Sequence, residues 1–160
     1  MIDALYSTQI LSLAANLPHS GRLPAPEGSG ERVAKLCGSK AIVDVVLDAH
    51  GRVSAFAQDV KACALGQAAA GVLGQTVIGA SAQEIEAARD AMLAMLKSGG
   101  EGPTGRFEGL RALKQVAAYP ARHASTMVAI EATLDAVRQA LNPAVARDRA
   151  DTRTSLAGAA

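Results

Sequence analysis

The feature that most constrains the fold is a run of alternating apolar and polar residues interrupted by one turn. Apolar, mostly β-branched residues recur with period two from residue 41 to 47, as in a strand with one buried face. That face comprises Ala41, Val43, Val45 and Leu47, opposite Asp44 and Asp48. After the turn signal at 48–51, the segment Arg52 to Val60 alternates again, with Val53, Ala55 and Ala57 opposed to Ser54, Phe56 and Gln58. This pattern predicts a β-hairpin.

The pattern changes from strand to helix after Cys63. A third strand is expected over Arg32 to Leu36, after a Pro- and Gly-rich loop from Pro18 to Gly30. Helices are predicted over Asp3 to Asn16, Ala64 to Thr76, Ser81 to about Ser98, Leu110 to Val116 and Pro120 to about Leu141. Ser81 and Glu84 have the spacing of a capping box. The fold class is therefore α+β, with a three-stranded antiparallel sheet packed against helices.

The composition excludes several classes of function. The chain has 160 residues, which suits one domain over 1–142 and a flexible tail over 143–160. A net charge of +1 and 2% aromatic residues argue against nucleic-acid binding, which needs basic and stacking surfaces. No apolar run approaches the roughly 20 residues that span a bilayer, and the N-terminus lacks the positive region of a signal peptide. We therefore expect a cytoplasmic protein that does not engage membranes.

The two cysteines, Cys37 and Cys63, lie where elements end. Cys37 follows a candidate strand and precedes Gly38, whereas Cys63 lies between a strand and a helix. The dipole of that helix and the charge of Lys61 favour the thiolate of Cys63, the form that binds metals and attacks sulfur. Small buried hydrophobic cysteines are equally common, so position alone leaves both interpretations open. A reducing compartment disfavours a disulfide between them.

His123 lies in the first turn of the last predicted helix. A neutral imidazole there could ligate a metal, although an exposed or capping histidine is the commoner case.

In order and spacing, these segments resemble the U-type iron–sulfur cluster scaffold family, which comprises the NifU N-terminal domain, IscU and SufU. The resemblance covers about Met1 to Leu141. Its features are an N-terminal helix beginning with Leu5-Tyr6, a Pro/Gly loop, Cys37-Gly38, the hairpin, Cys63 before a small-residue helix, and Pro120-Ala121-Arg122. The long separation between Cys63 and Pro120 is similar to the SufU branch.

The resemblance implies a site in which three cysteines and an aspartate hold a cluster under assembly, or zinc. Cys37 and Cys63 match two of those ligands, and Ser39 stands where the family has the aspartate. Aligned without a gap, the third cysteine falls on Ser125, and Ala124 takes the preceding basic or histidine position. A gap would instead put His123 at that position and Ala124 at the cysteine. We expect His123 as a third ligand on chemical grounds.

These residues predict a non-enzymatic scaffold that binds iron, a [2Fe–2S] cluster or zinc through Cys37, Cys63 and His123. Arg122 would steer an anionic sulfur species or contact a cysteine desulfurase, and Ser39 would be a weak ligand. Apo iron–sulfur proteins or carriers would be the recipients. In the alternative, Cys63 accepts persulfide from the desulfurase without a stable metal, and Cys37 resolves it. A third interpretation is a degenerate member that binds partners without either chemistry.

Overall fold

The computed structural model describes residues 7–142. Its strands are β1 (Gly28–Ala34), β2 (Ser39–Leu47) and β3 (Val53–Lys61). Its helices are α1 (Thr8–Ala15), α2 (Ala64–Thr76), α3 (Ala82–Ser98) and α4 (His123–Leu141), with 3-10 segments at Gly105–Ala118 and Pro120–Arg122. The sheet is antiparallel in the order β1-β2-β3, which confirms the predicted α+β class and its hairpin.

The predicted faces of β3 are wrong beyond its first residue. Val53 pairs with Leu47 but Ala55 pairs with Val46, so the register shifts at this point of the ladder. Ser54 is the extra residue of this irregularity, and every later side chain of β3 changes face. Phe56 therefore lies opposite Val45 on the core face. Gln58 on that same face donates to the carbonyl oxygen of Ala70 in α2 at 3.0 Å.

Helix α4 packs closely on β1 because that strand carries two glycines at the contact. A methyl group on Gly28 or Gly30 would collide with the carbonyl oxygens of Ala136 and Ala132, respectively. The predicted loop up to Gly30 is therefore too long, since β1 already begins at Gly28. Glycine disfavours strands in general, but here it allows strand and helix backbones to approach.

The helices that follow the sheet agree well with the sequence pattern. Helix α2 spans the predicted residues, and most of its side chains are buried. At the start of α3, the Ser81 hydroxyl accepts from the Glu84 amide at 3.2 Å, and the Glu84 carboxylate accepts from the Ser81 amide at 3.3 Å. The capping box is thus confirmed. Gly99 ends α3 with a φ of 72°, a left-handed conformation that suits glycine.

The last third of the described chain differs in its helix type. The predicted short helix at Leu110 to Val116 lies inside the longer 3-10 segment Gly105–Ala118. Pro120 opens a single 3-10 turn, and the α-helical part of the last helix begins only at His123. The predicted helix start at Asp3 and the predicted tail at 143–160 fall outside the described residues. Within 7–142, no helix combines the length and apolar character needed to cross a membrane.

The segment between α1 and β1 covers part of the outer face of the sheet, opposite the helices. Ser20 forms a parallel bridge with Gln58, at the free edge of β3. The chain then crosses to Asp44 on β2, whose carboxylate accepts from Arg22 Nε at 2.7 Å, the Leu23 amide at 3.0 Å and the Ser29 hydroxyl at 2.6 Å. We call residues 18–27 the strap, since this segment fastens across the sheet.

Candidate functional site

Both cysteines lie at one end of the sheet. Cys37 is in the turn between β1 and β2, and Cys63 caps the N-terminus of α2 directly after β3. These positions are neighbours because Lys40, near the start of β2, pairs with Lys61, the last residue of β3. The Cys37 side chain is exposed and that of Cys63 is half-buried. The sheet topology therefore brings together two residues that are far apart in sequence.

The Cys37 thiol contacts Ser39 across the turn. The Sγ–Oγ distance is 3.3 Å, and Gly38 between them has a φ of 71° that favours glycine. Hydrogen bonds from the Ser39 side chain and backbone lower the pKa of the Cys37 thiol, with smaller contributions from Ser125 and the charge of Arg122. Ser39 thus supports the thiolate as a hydrogen-bond donor at the position where the family carries a carboxylate.

The Cys63 thiol lies against α4. Burial alone would raise its pKa, but the Ser125 hydroxyl, the amides of Gly66 and Leu65, and the charge of Arg122 together hold the pKa of Cys63 below its ordinary value. The Sγ of Cys63 is 3.4 Å from the Oγ of Ser125. The amides at the start of α2 act in the expected direction, but the cationic contribution comes from Arg122, whereas the sequence predicted it from Lys61.

Ser125 contacts the Cys63 thiol and contributes to the lowered pKa of both cysteines. It lies fully buried in the first turn of α4, and its hydroxyl also contacts the Arg122 carbonyl oxygen at 3.2 Å. The ungapped alignment on Pro120-Ala121-Arg122 pointed to this position as that of the family's third cysteine. The predicted ligand set of Cys37, Cys63 and His123 does not include it.

The His123 side chain packs against the longer 3-10 segment that precedes α4. Its side chain is 4% exposed, and its Nε2–H donates to the carbonyl oxygens of Val116 at 2.9 Å and Ala117 at 3.2 Å. The ring thus joins the 3-10 segment to the start of α4. Across residues 7–142, no group of three or more His, Cys, Asp or Glu side chains is placed to hold a metal ion. His123 is therefore not brought together with the cysteines.

Comparison with known structures identifies the family. The chain is 45% identical to the N-terminal part of a nitrogen-fixing NifU-like protein from Brucella abortus, with a TM-score of 0.84 over 87% of this chain and 96% of that one. The chain belongs to the NifU-like family. This confirms the resemblance to the U-type scaffolds.

Two more distant structures share the fold of this NifU-like chain. One is from Fervidobacterium islandicum AW-1, described as a candidate iron–sulfur cluster assembly scaffold for the SUF system. It is 19% identical, with a TM-score of 0.75 over 83% of this chain and 96% of that one. The other, a hypothetical protein, is 22% identical with a TM-score of 0.71 over 84% and 97%. No protein-family model and no curated protein sequence matches the chain.

The donor set of this NifU-like site is two thiols and two hydroxyls. Thiolates suit iron–sulfur clusters and zinc, whereas neutral hydroxyls are weak ligands for either. The guanidinium of Arg122 adds a positive charge felt by both thiols, and it makes no ion pair with any side chain between Ser7 and Asn142. Two thiols of lowered pKa near the cation of Arg122 have the chemistry that suits a thiophilic metal or an anionic sulfur species.

Proposed function

We propose that this NifU-like protein acts in iron–sulfur cluster assembly as a scaffold or carrier, with Cys37 and Cys63 as the residues that hold its cargo. The observation that carries the proposal is the placement of two thiols of lowered pKa at one end of the sheet, each against a serine hydroxyl, Cys37 against Ser39 and Cys63 against Ser125. The proposal is supported by the 45% sequence identity to a NifU-like protein and by the fold shared with a candidate cluster scaffold. The protein would bind and release cargo rather than turn over a small substrate.

The cargo of this proposal is iron, a [2Fe–2S] cluster or zinc. Cys37 and Cys63 would provide two thiolates, and Ser39 and Ser125 would donate hydrogen bonds to bound sulfur or occupy the remaining positions weakly. A cluster held by two protein thiolates needs further ligands from small thiols or from a partner, since iron–sulfur clusters are normally held by four. His123 could join them only by releasing the carbonyl oxygens of Val116 and Ala117.

A sulfur-transfer function is the second candidate, favoured by the lowered pKa of both thiols and by the charge of Arg122. The Cys63 thiolate would attack the outer sulfur of a persulfide on a cysteine desulfurase. A Cys63 persulfide forms, and the desulfurase cysteine leaves as thiolate. Cys37 would then attack the inner sulfur of that persulfide, which forms a Cys37–Cys63 disulfide and releases hydrosulfide.

In either form, the proposal gives the protein a cysteine desulfurase as sulfur source and apo iron–sulfur proteins or carriers as recipients, in the cytoplasm. Arg122 would attract the anionic sulfur species or contact the desulfurase.

The first test is metal and sulfide content after anaerobic purification of the untagged protein. We expect iron with acid-labile sulfide, or zinc, near stoichiometry in the wild type and loss of both in Cys63→Ala. Iron with sulfide supports the scaffold, and zinc alone supports a zinc-dependent sulfur acceptor. Arg138→Gln, at the far end of α4, is the control that should keep its metal.

A wild type that carries neither metal nor sulfide would contradict the metal-holding form. The sulfur-transfer form then makes its own prediction: the wild type acquires label from ³⁵S-cysteine and a desulfurase, and Cys63→Ser does not. Labelling that persists in Cys63→Ser would eliminate this form. Normal cellular function of a Cys37→Ser/Cys63→Ser double variant would favour the third interpretation, partner binding without metal or sulfur chemistry.

A further inference from the structure

The outer face of the sheet is divided into two halves. The strap covers the half around Asp44, whereas the half next to the cysteines stays open. Strand register places Val33, Lys40 and Lys61 in one row across that open half, with each residue directly opposite the next. On this outer face it is the last row before the turn that carries Cys37, because the Ala34–Ser39 pair beyond it faces the core.

The open half contains a cross-strand pair of like-charged residues. Lys40 and Lys61 are a direct cross-strand pair, and like charges in such a pair destabilise a sheet. Glu31 offsets part of the charge through an ion pair with Lys40 at 3.1 Å. Lys61 has no ion pair within the part of the chain that the structure describes, and Lys35 adds a third exposed lysine at the same end. Asp59 adjoins Lys40 and Lys61 on the same face, so three lysines face two carboxylates, those of Glu31 and Asp59.

Two apolar side chains are exposed beside these lysines. Leu36, immediately before Cys37, is 85% exposed, and Val33, opposite Lys40, is 53% exposed. A single exposed apolar residue needs no explanation, but two that adjoin three lysines and a reactive thiol form a defined surface. We call Val33, Lys35, Leu36, Lys40 and Lys61 the lysine–leucine patch.

We propose that the lysine–leucine patch docks the protein that delivers sulfur to this site, through a surface segment of that protein in which an apolar side chain is surrounded by carboxylates. The inference rests on the proposed function and adds the surface that the donor recognises. Charge complementarity selects an acidic partner, and Leu36 offers an apolar anchor at the centre of the contact. The patch adjoins both cysteines, so a bound donor would present its sulfur at the site.

A nucleic acid is the less favoured occupant of the same charges. No aromatic side chain is among the patch residues, and the whole chain has a net charge of only +1.

Lys61→Glu tests the docking role because it separates binding from folding. The change replaces a repulsive cross-strand pair by an attractive one, so we expect an unchanged or higher melting temperature. We expect the same change to weaken binding of the source organism's cysteine desulfurase at least tenfold, measured by titration calorimetry with the full chain. The matched control is Arg138→Glu, a charge reversal of the same size in the last turn of α4. Arg138 lies about 20 Å along the helix from Ser125, so this variant should bind normally. Leu36→Ala should weaken binding about fivefold without changing the melting temperature.

The outcomes distinguish this inference from the function on which it rests. A wild type that accepts ³⁵S from the desulfurase, with Lys61→Glu and Leu36→Ala binding as tightly as the wild type, would overturn the docking surface and leave the proposed function intact. A wild type that neither binds the desulfurase, accepts sulfur nor carries iron or zinc would overturn both. Tighter binding of a fluorescein-labelled 20-nucleotide RNA than of the desulfurase, lost in Lys61→Glu, would assign the patch to nucleic acid instead.

Discussion

Asp44 and the cysteine end are both polar regions of one small sheet, and they differ in how completely their groups are paired. The Asp44 carboxylate is fully buried and accepts hydrogen bonds from Arg22, Leu23 and Ser29. At the other region, Cys37 and Cys63 each contact one hydroxyl, and Lys40 faces Lys61. The first region uses its polar groups to fix the chain. The second has thiols and lysines that are less completely paired, as the proposed binding of cargo and of a partner requires.

Removing the Asp44 charge is expected to have the largest effect. Asp44→Asn should lower the free energy of unfolding by about 3 kcal/mol, since it removes the buried charged acceptor of hydrogen bonds from the half-exposed Arg22, from Leu23 and from Ser29. Urea denaturation would measure the loss, and the exposed Asp90→Asn should fall within error of the wild type. Metal content of the folded variant should not change. Loss of metal from a folded Asp44→Asn would show that the two regions are not independent.

The same carboxylate predicts a pH dependence. Burial alone would raise the pKa of Asp44, but its bonds to Arg22, Ser29 and Leu23 outweigh burial and hold the folded pKa below the ordinary value. Its stabilising contribution is therefore complete above the ordinary aspartate pKa of about 4, and it is lost as the pH falls through the lower folded pKa. Urea midpoints between pH 7 and pH 2 should show this loss in the wild type. Asp44→Asn should show a shallower acid limb.

His123 is expected to contribute to stability and not to metal binding. His123→Leu should lower the free energy of unfolding by about 2 kcal/mol, because the carbonyl oxygens of Val116 and Ala117 lose their buried donor. Its metal content should equal that of the wild type in the same anaerobic assay. A metal-free but folded His123→Leu protein would show that His123 is a ligand.

A third thiol should sharpen the difference between the two regions. Ser125→Cys places a thiol where one buried hydroxyl contacts Cys63 and supports Cys37. We expect zinc affinity to rise at least tenfold, as measured by competition with a chromophoric chelator. Thr133→Cys, elsewhere on the buried side of α4, should leave the affinity unchanged. Equal affinities in the two variants would contradict the placement of Ser125 in the site.

The smallest expected effect concerns thiol reactivity. Ser125→Ala removes a donor that lowers the pKa of Cys63, so in a Cys37→Ser background alkylation by iodoacetamide at pH 7 should slow about threefold. The pH–rate midpoint should move upward, while the plateau at high pH should stay within error. Thr133→Val, which removes a buried hydroxyl bonded to Ala129, should leave the profile unchanged. An unchanged midpoint in Ser125→Ala would contradict the role of Ser125 in lowering the pKa of Cys63.

Local chemistry explains which elements the sequence predicted well. The period-two pattern located the hairpin, and the Ser81–Glu84 pair located the start of α3, because both signals are confined to a few neighbouring residues. The predicted faces of β3 are wrong because the irregularity at Ser54 arises from pairing with β2, and the sequence of β3 alone does not show it. The predicted start of β1 is too late because glycines in a sequence indicate a loop, whereas Gly28 and Gly30 pair with Val45 and Val43 of β2 and allow α4 to approach.

The site shows the same division. The positions of Cys37 and Cys63 at element ends were readable from the sequence, as was the effect of a helix start on a thiol. The choice between Ser125 and His123 was not, since both lie in one turn of α4 and only the tertiary packing decides which faces the thiols. The repulsive pair of Lys40 and Lys61 was equally hidden, because it exists only through the register of two strands.

The close contact between β1 and α4 acts as a spacer for the whole site. One end of β1 leads into the turn with Cys37, and the first turn of α4 carries Ser125, so the separation of these two backbones helps to set the distance between the two elements. At Gly30 that separation is possible only without a side-chain methyl group. A glycine far from either sulfur therefore contributes to the relative position of the Cys37 turn and Ser125.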